Sequence, residues 1–222
     1  MERAEKVTLS RSWLIEPRRA FAKLAELIAS PLRFLFGFVF RFISQAESKM
    51  AKREPLSLAM TTRVLFVCMG NICRSPLAEG VFNHMVKQGG LDDVVKCDSA
   101  GTHAFHNGEQ PDKRGISAGA KRGYHYGDHK ARRVKEKDFE DYDLILAMDW
   151  DNLAALQGMA PKSAHHKIQL LMRFATEHES ATIPDPYYGN QQGFEQCLDY
   201  IEDACTGLAE VAKRRATQVA AA

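Results

Sequence analysis

The chain has 222 residues, of which 45% are hydrophobic and 26% are charged, and its formal net charge is +2. This hydrophobic content supports a packed core and excludes an intrinsically disordered chain. The first 60 residues carry eleven basic and six acidic side chains, and the remainder carries 19 basic and 22 acidic ones. The mildly acidic remainder argues against a nucleic-acid-binding surface on the main domain.

The cysteine content also limits the class of protein. The five cysteines form an odd, sparse set without zinc-site spacing. They indicate a reducing compartment better than a secreted disulfide scaffold. We therefore expect a cytoplasmic protein.

Residues 1–60 are expected to form an N-terminal extension ahead of a domain at residues 61–222. Residues 20–43 combine arginines with a phenylalanine- and leucine-rich run that is too short to span a bilayer. Such a segment can lie on a membrane surface, direct the chain to an organelle or dock a partner. Alternatively, the natural chain starts at Met50 or Met60, and the sequence leaves these interpretations open.

From residue 63 onward, short apolar runs alternate with helical patterns. Strands are predicted at residues 64–67, 94–99 and 144–148, and residues 167–171 form an ambiguous short element. Helices are predicted at 76–86 with Ser75 as the N-cap, at 111–123, at 151–156 and over the C-terminal region from Phe194. Strands that alternate with helices imply a parallel sheet with helices on both faces.

The loop between the first strand and the first helix, CMGNICRS at residues 68–75, has the composition of a phosphate site. In an open parallel sheet, ligands bind beyond the carboxyl ends of the strands. Backbone amides and the helix N-terminus can surround an anion there. Gly70 is expected to adopt a backbone conformation that other residues avoid, and Arg74 offers a planar fork for two phosphate oxygens.

Cys68 lies at the base of this predicted cradle. An environment that binds a phosphate dianion also stabilises a thiolate, which is the nucleophilic form of cysteine. The pattern therefore predicts attack by Cys68 on phosphorus and a cysteinyl-phosphate intermediate. Ser75 is expected to donate to the sulfur as it leaves, and the Asn71 amide is expected to hold the loop.

The segment IPDPYYGN at residues 183–190 offers a general acid. Asp185 lies between two prolines, which restrict the loop that carries it. Tyr187 and Tyr188 follow, and adjacent aromatic side chains on a loop can form the walls of a slot for an aryl ring. Protonation of the leaving oxygen by Asp185 would complete the chemistry begun at Cys68.

The stretches VLFVCMGNICRSPLAEGVF and PDPYYG closely resemble the low-molecular-weight protein tyrosine phosphatases. The similarity continues through DSAGTHAFHNGEQPDKRG, GDHKARRV, DFEDYDLILAMDWDN and the last helix, and it covers residues 62–222. The resemblance implies a four-stranded parallel sheet in a flavodoxin-like α/β fold. It implies hydrolysis of phosphotyrosine proteins or small aryl phosphates, with neither a metal nor an organic cofactor, and a monomer is favoured.

The resemblance also assigns residues by position. It implies Cys68 as nucleophile, Arg74 as phosphate binder and Asp185 as general acid. A supporting network around the loop is implied for Asn71, Ser75, Ser99, His129 and Asp149. Apolar substrate-binding walls are implied for Met69, Ile72, Phe105, Tyr187 and Tyr188. The substrate-binding set also includes the loop residues Gly70, Asn71, Cys73 and Ser75. Phe105 stands where many members carry tryptophan, which affects fine substrate preference only.

Family analogy further suggests that Cys73 forms a reversible disulfide with Cys68, which would protect the latter from irreversible oxidation. Without the analogy, packing beneath the loop is the simpler interpretation of Cys73. Two other functions use related features, namely arsenate reduction by a thiol relay and non-catalytic phosphate binding or redox sensing. A relay needs further cysteines near the loop, but Cys97, Cys197 and Cys205 lie on predicted core elements.

Overall fold

The computed structural model describes residues 61–220. The predictions for the N-terminal extension at residues 1–60, including membrane association of residues 20–43, concern residues outside this range. Within residues 61–220, no helix combines the length and the apolar character needed to span a membrane.

Four parallel strands form one sheet in the order β2-β1-β3-β4. Their bounds are Thr62–Cys68 for β1, Val95–Gly101 for β2, Leu144–Ala147 for β3 and Ile168–Leu170 for β4. The ambiguous element at 167–171 is therefore an edge strand. The four-stranded parallel sheet of a flavodoxin-like α/β fold is confirmed.

Five α-helices and two short 3₁₀ helices surround this sheet in the described range. The α-helices are α1 at Arg74–Gln88, α2 at Lys113–Lys121, α3 at Asp138–Asp141, α4 at Trp150–Met159 and α5 at Gln191–Ala220. The 3₁₀ helices lie at Lys162–Lys167 and Leu171–Phe174. Helix α3 and both 3₁₀ helices were not predicted, because segments of four to six residues carry too little periodicity to detect.

Helix α1 begins earlier than its sequence predicts. Cys73 occupies the N-cap position without a side-chain hydrogen bond to the helix, so the prediction of Ser75 as the cap is wrong. The Ser75 hydroxyl instead donates to the carbonyl of Ala100 and contacts Cys68 and Asn71. The Ser75 hydroxyl therefore holds the loop and does not cap the first turn of α1.

Successive side chains of β1 point to opposite faces of the sheet and pack into two separate apolar cores. Val64 and Phe66 face α1 and α5, where they pack with Phe82 and Phe194. Leu65 belongs to the opposite core with other side chains from β3, β4 and α4, namely Ile145, Ile168 and Leu156. Burial of each such side chain stabilises the fold by about 1.5–3 kcal/mol. This double burial fixes β1 in the middle of the sheet, so its carboxyl end lies between helices on both faces.

Candidate active site

The loop that begins at Cys68 folds back over the sulfur atom. Cys68 ends β1 in register with Gly101 of β2. Its Sγ accepts a hydrogen bond from the Asn71 backbone N–H at 3.3 Å and lies 3.1 Å from the Ser75 Oγ. The Asn71 N–H therefore stabilises a negative charge on the sulfur, and the Ser75 hydroxyl adds a second hydrogen bond only when its single proton turns away from the Ala100 carbonyl.

Asn71, and not Gly70, supplies the unusual backbone conformation of the loop. Asn71 has a φ of 58° and is fully buried, whereas Gly70 is not among the residues with positive φ. The prediction that Gly70 adopts a backbone conformation that other residues avoid is therefore wrong. Its missing side chain makes room for the His106 ring instead, because an added Cβ would lie 2.9 Å from His106 Cδ2.

The Asn71 amide compensates for this backbone conformation with three hydrogen bonds. Its Nδ2 donates to Ser75 Oγ at 2.9 Å and to Ser99 Oγ at 2.8 Å. Its Oδ1 accepts from the backbone N–H of Arg132 at 2.9 Å. The side chain thus ties the loop to α1, β2 and the segment after α2, as its predicted role of holding the loop requires.

Arg74 points its guanidinium into the site although its side chain is only 2% exposed. Nη1 donates to Asp149 Oδ2 at 2.5 Å and to the carbonyl of Ile183 at 3.1 Å, and Nη2 donates to Asp185 Oδ2 at 2.7 Å. Burial acts to lower the pKa of Arg74, but the neighbouring Cys68, Asp185 and Asp149 raise it above its ordinary value. Its Nε is buried without a partner in residues 61–220, so one donor is free for an anion.

Asp185 reaches the site from a loop with no regular secondary structure. Besides its pair with Arg74, its Oδ1 accepts a hydrogen bond from the Tyr187 backbone N–H at 3.1 Å. Its side chain is 44% exposed, so the carboxyl can exchange protons with solvent. This partly exposed carboxyl pairs with the guanidinium and lines the same cavity as the Cys68 sulfur.

These groups share one cavity of about 330 Å³. Phe105 and Tyr188 stand at its rim, 70% and 97% exposed, and the Tyr187 and Tyr188 rings contact each other edge to face. The lining residues are Cys68, Met69, Gly70, Ile72, Cys73, Arg74, Phe105, His106, Asp185, Tyr187 and Tyr188. All the predicted apolar wall residues lie there, but Asn71 and Ser75, which were also predicted to bind substrate, do not line it. His106 is a lining residue that the sequence analysis missed.

The predicted supporting network is connected through a residue that the sequence analysis also missed. Ser99 Oγ donates to Glu79 Oε2 at 2.7 Å, and His129 Nδ1 lies 3.2 Å from the same oxygen. Glu79 follows Ser75 by one helical turn, so its position on the loop-facing side of α1 was the available signal. Asp149 caps α4, accepting from the Asn152 N–H at 2.7 Å, and thereby holds its carboxylate against Arg74.

Gly101 is a further position that the sequence analysis passed over. A Cβ at this residue would lie 2.7 Å from the Met69 carbonyl oxygen and 3.1 Å from the Asn71 nitrogen. The end of β2 therefore requires glycine so that the loop at residues 68–75, called the phosphate loop below, can pass close to it. The signal was a glycine at the carboxyl end of a strand paired with the strand of Cys68.

The remaining cysteines differ from Cys68 in their surroundings. Burial, followed by the nearby Cys68, raises the pKa of the Cys73 thiol well above its usual range. Burial also raises the pKa of Cys97, Cys197 and Cys205. All five cysteines are free thiols, and the proposed pairing of Cys68 with Cys73 stays a prediction.

Comparison with known proteins identifies the family. The sequence profile described as low molecular weight phosphotyrosine protein phosphatase matches residues 63–218. A low molecular weight protein-tyrosine-phosphatase of Streptomyces coelicolor is 45% identical over 152 residues, which are 67% of this chain and 92% of that protein. The low molecular weight phosphotyrosine protein phosphatase of Rattus norvegicus is 43% identical over 141 residues, 61% of this chain and 88% of that protein.

A solved structure agrees with these relatives. The crystal structure of a protein tyrosine phosphatase from Entamoeba histolytica, with Hepes in its active site, superposes with a TM-score of 0.65 at 42% identity. The match covers 66% of this chain and 94% of that one. The chain belongs to the low molecular weight phosphotyrosine protein phosphatase family.

Proposed function

We propose that this phosphatase hydrolyses phosphotyrosine and small aryl phosphates through a cysteinyl-phosphate intermediate. The observation that carries the proposal is the convergence of Cys68, Arg74 and Asp185 on one cavity. These three side chains supply a nucleophile, an anion-binding fork and a proton donor, which together are sufficient for phosphoryl transfer without a metal ion.

In the first step, the Cys68 thiolate attacks phosphorus as the bond from phosphorus to the phenolic oxygen breaks. The Asp185 carboxyl gives its proton to that oxygen, so the product leaves as a neutral phenol. The phosphoryl oxygens bind Arg74, which supplies two donors: the unpartnered Nε, and Nη2 once the phosphate displaces Asp185 from it. Charge that develops on the phosphoryl group is stabilised by donors that are already in place.

In the second step, a water molecule attacks the phosphorus of the intermediate and the bond from sulfur to phosphorus breaks. Asp185, now a carboxylate, accepts a proton from this water, and the Cys68 thiolate is regenerated. Ser75 Oγ, 3.1 Å from the sulfur, donates a hydrogen bond to the departing anion. The Asn71 N–H thus holds the thiolate both at rest and as a leaving group, and the Ser75 proton turns from the Ala100 carbonyl to the sulfur as its charge develops.

The rim of the cavity favours aryl esters over alkyl esters. Met69, Phe105, Tyr187 and Tyr188 are large apolar or aromatic side chains that remain exposed. A flat apolar ring placed between them gains the most binding free energy, because aromatic pairs contribute about 0.5–1.5 kcal/mol beyond the effect of the buried area. This argument supports phosphotyrosine as the substrate class.

The test is the release of phosphate from p-nitrophenyl phosphate together with acid quenching to trap phosphocysteine. We expect Cys68→Ser to have no activity and Asp185→Ala to lose about 10²–10⁴-fold in kcat. Full activity of Asp185→Ala would exclude its role as the acid, and an active Cys68→Ser would exclude the intermediate.

The same assay separates the alternative functions. A phosphate-binding module would release no phosphate, and an arsenate reductase would need thiols that relay electrons from the loop. Cys197 and Cys205 are fully buried, which speaks against such a relay. Thiol-dependent reduction of arsenate with no turnover of p-nitrophenyl phosphate would overturn the proposed hydrolase.

A further inference from the structure

Arg114 fastens the loop that carries Asp185, although it lies outside the catalytic cavity. From the first turn of α2, its Nη1 donates to the carbonyl of Gly189 at 2.8 Å. Its Nη2 donates to the carbonyl of Tyr187 at 3.0 Å. One guanidinium thus binds two carbonyl groups of a segment that has neither helix nor strand of its own.

The guanidinium itself is held from two other sides. Asp112 accepts from Arg114 Nε at 3.0 Å and from Nη2 at 2.7 Å. The same carboxylate caps α2 through the Arg114 backbone N–H at 2.9 Å. The guanidinium also stacks over the Phe194 ring, 4.7 Å from its centroid. A bidentate carboxylate and the face of a ring together restrict the orientation of this guanidinium.

The segment that carries Arg114 is also tied to the phosphate loop. The Asp112 backbone N–H donates to the carbonyl of Ile72 at 2.7 Å. Ile72 lies between Asn71 and Cys73 in the loop that surrounds the Cys68 sulfur. The residue pair Asp112 and Arg114 therefore connects the nucleophile's loop to the loop of the acid.

The backbone of Tyr187 continues this connection to the carboxyl of Asp185. The Tyr187 carbonyl accepts from Arg114, and the Tyr187 N–H donates to Asp185 Oδ1 at 3.1 Å. Asp185 has its other hydrogen bond to Arg74, which a bound phosphate would compete for. When substrate is bound, the path from Arg114 through Tyr187 still orients the carboxyl.

We propose that Arg114, held by Asp112, is a positioning residue that fixes Asp185 for proton transfer to the leaving group. The inference rests on the proposed function of Asp185 as the general acid. Misplacement of an acid by a fraction of an ångström slows only those reactions that need its proton. Loss of Arg114 therefore slows substrates with basic leaving groups and spares those whose leaving groups need no proton.

The test compares kcat/KM for phenyl phosphate and for 2,4-dinitrophenyl phosphate, whose phenolate leaves without a proton. For Arg114→Gln we expect about a tenfold loss with the first substrate and less than about a twofold loss with the second. Arg114→Lys keeps the positive charge but lacks the fork, and we expect it to behave like Arg114→Gln. If Arg114→Gln does not fold, Arg114→Lys carries the same comparison.

Arg122 provides a matched control at the opposite end of α2. Its side chain is 26% exposed, against 34% for Arg114, and it also forms several ion pairs. Its partners are on α5 and not on the loop of Asp185, namely Glu195, Asp199 and Glu202. We expect Arg122→Gln to leave the ratio of the two kcat/KM values unchanged.

The outcomes separate this inference from the proposed function. Asp185→Ala should itself show a large loss that is selective for phenyl phosphate, and the double variant with Arg114→Gln should be no more selective. If Asp185→Ala is not selective, the proposed role of Asp185 fails and the inference fails with it. If Asp185→Ala is selective but Arg114→Gln slows both substrates equally, or neither, only the positioning role is overturned.

Discussion

Arg74 Nη2 lies 2.7 Å from Asp185 Oδ2, across 111 residues of sequence. The phosphate-binding cation and the candidate acid therefore neutralise each other when no substrate is bound. A phosphate dianion that enters the cavity meets both an attractive guanidinium and a repulsive carboxylate. This opposition gives Asp185 an effect on anion binding that is separate from its effect on catalysis.

The substitution Asp185→Asn should therefore slow catalysis but strengthen the binding of phosphate. We expect kcat for phenyl phosphate to fall by about 10²-fold or more because the proton donor is lost. We expect the inhibition constant of inorganic phosphate near neutral pH to decrease severalfold, since the amide carries no charge. Competitive inhibition with p-nitrophenyl phosphate measures the second effect. Weaker phosphate binding by the variant would contradict the electrostatic account.

The thiols should differ in their reaction with iodoacetate at neutral pH. We expect Cys68 to be alkylated first and inorganic phosphate to protect it, because the reagent is an anion that enters the same cradle. Burial keeps Cys73 a neutral thiol, so its alkylation should increase only as the pH rises toward its raised pKa. Peptide mapping by mass spectrometry locates the label, and Cys68→Ser serves as the control. Faster labelling of Cys73 than of Cys68 at pH 7 would contradict this assignment.

Two substitutions of Asn71 separate its backbone conformation from its hydrogen bonds. Glycine accepts a φ of 58° without strain but removes the amide, whereas alanine adds the strain of a left-handed conformation. We expect both variants to bind phosphate more weakly, and Asn71→Ala to be less stable than Asn71→Gly by about 1 kcal/mol. Phosphate inhibition and urea unfolding measure these two effects. Equal stability of the two variants would show that the backbone conformation carries no strain.

Asp203 gives the domain a pH-dependent contribution to its stability. Its side chain is 3% exposed and accepts hydrogen bonds from the backbone N–H groups of Thr176, Glu177 and His178. Burial acts to raise the pKa of this carboxyl, but these amides and the His178 ring hold it well below its usual range. The segment that they fasten leads into the loop of Asp185.

Because the folded-state pKa of Asp203 is depressed, its contribution to stability is complete above the pKa of the unfolded carboxyl and is lost as the pH falls. We expect Asp203→Asn to lower the free energy of unfolding by about 1.5–3 kcal/mol at about pH 5. The difference from wild type should shrink by about pH 3. Urea unfolding at both pH values measures it, with the exposed Asp93→Asn as the control. A difference that does not change with pH would contradict the assignment.

The sequence by itself determined the strand, loop and helix around Cys68. The functional residues of this segment are close neighbours in the sequence. Cys68, Asn71, Arg74 and Ser75 must therefore lie close together once β1 ends and α1 begins. The apolar periodicity of the strands and of α5 determined the layered α/β fold for a similar reason, because burial of alternating side chains is a local property of the chain. Asp185 was found only because its proline-flanked, aromatic segment is itself distinctive.

Only the tertiary structure decided which distant groups meet. Glu79 looks like an ordinary helical glutamate, and Arg114 looks like an ordinary surface cation, until the fold places one beside Ser99 and the other against the carbonyls of Tyr187 and Gly189. The left-handed conformation of Asn71 likewise depends on partners from β2 and from Arg132. Hydrogen bonds across such sequence separations leave no periodic pattern, because their geometry is set by how the elements pack and not by the spacing of residues.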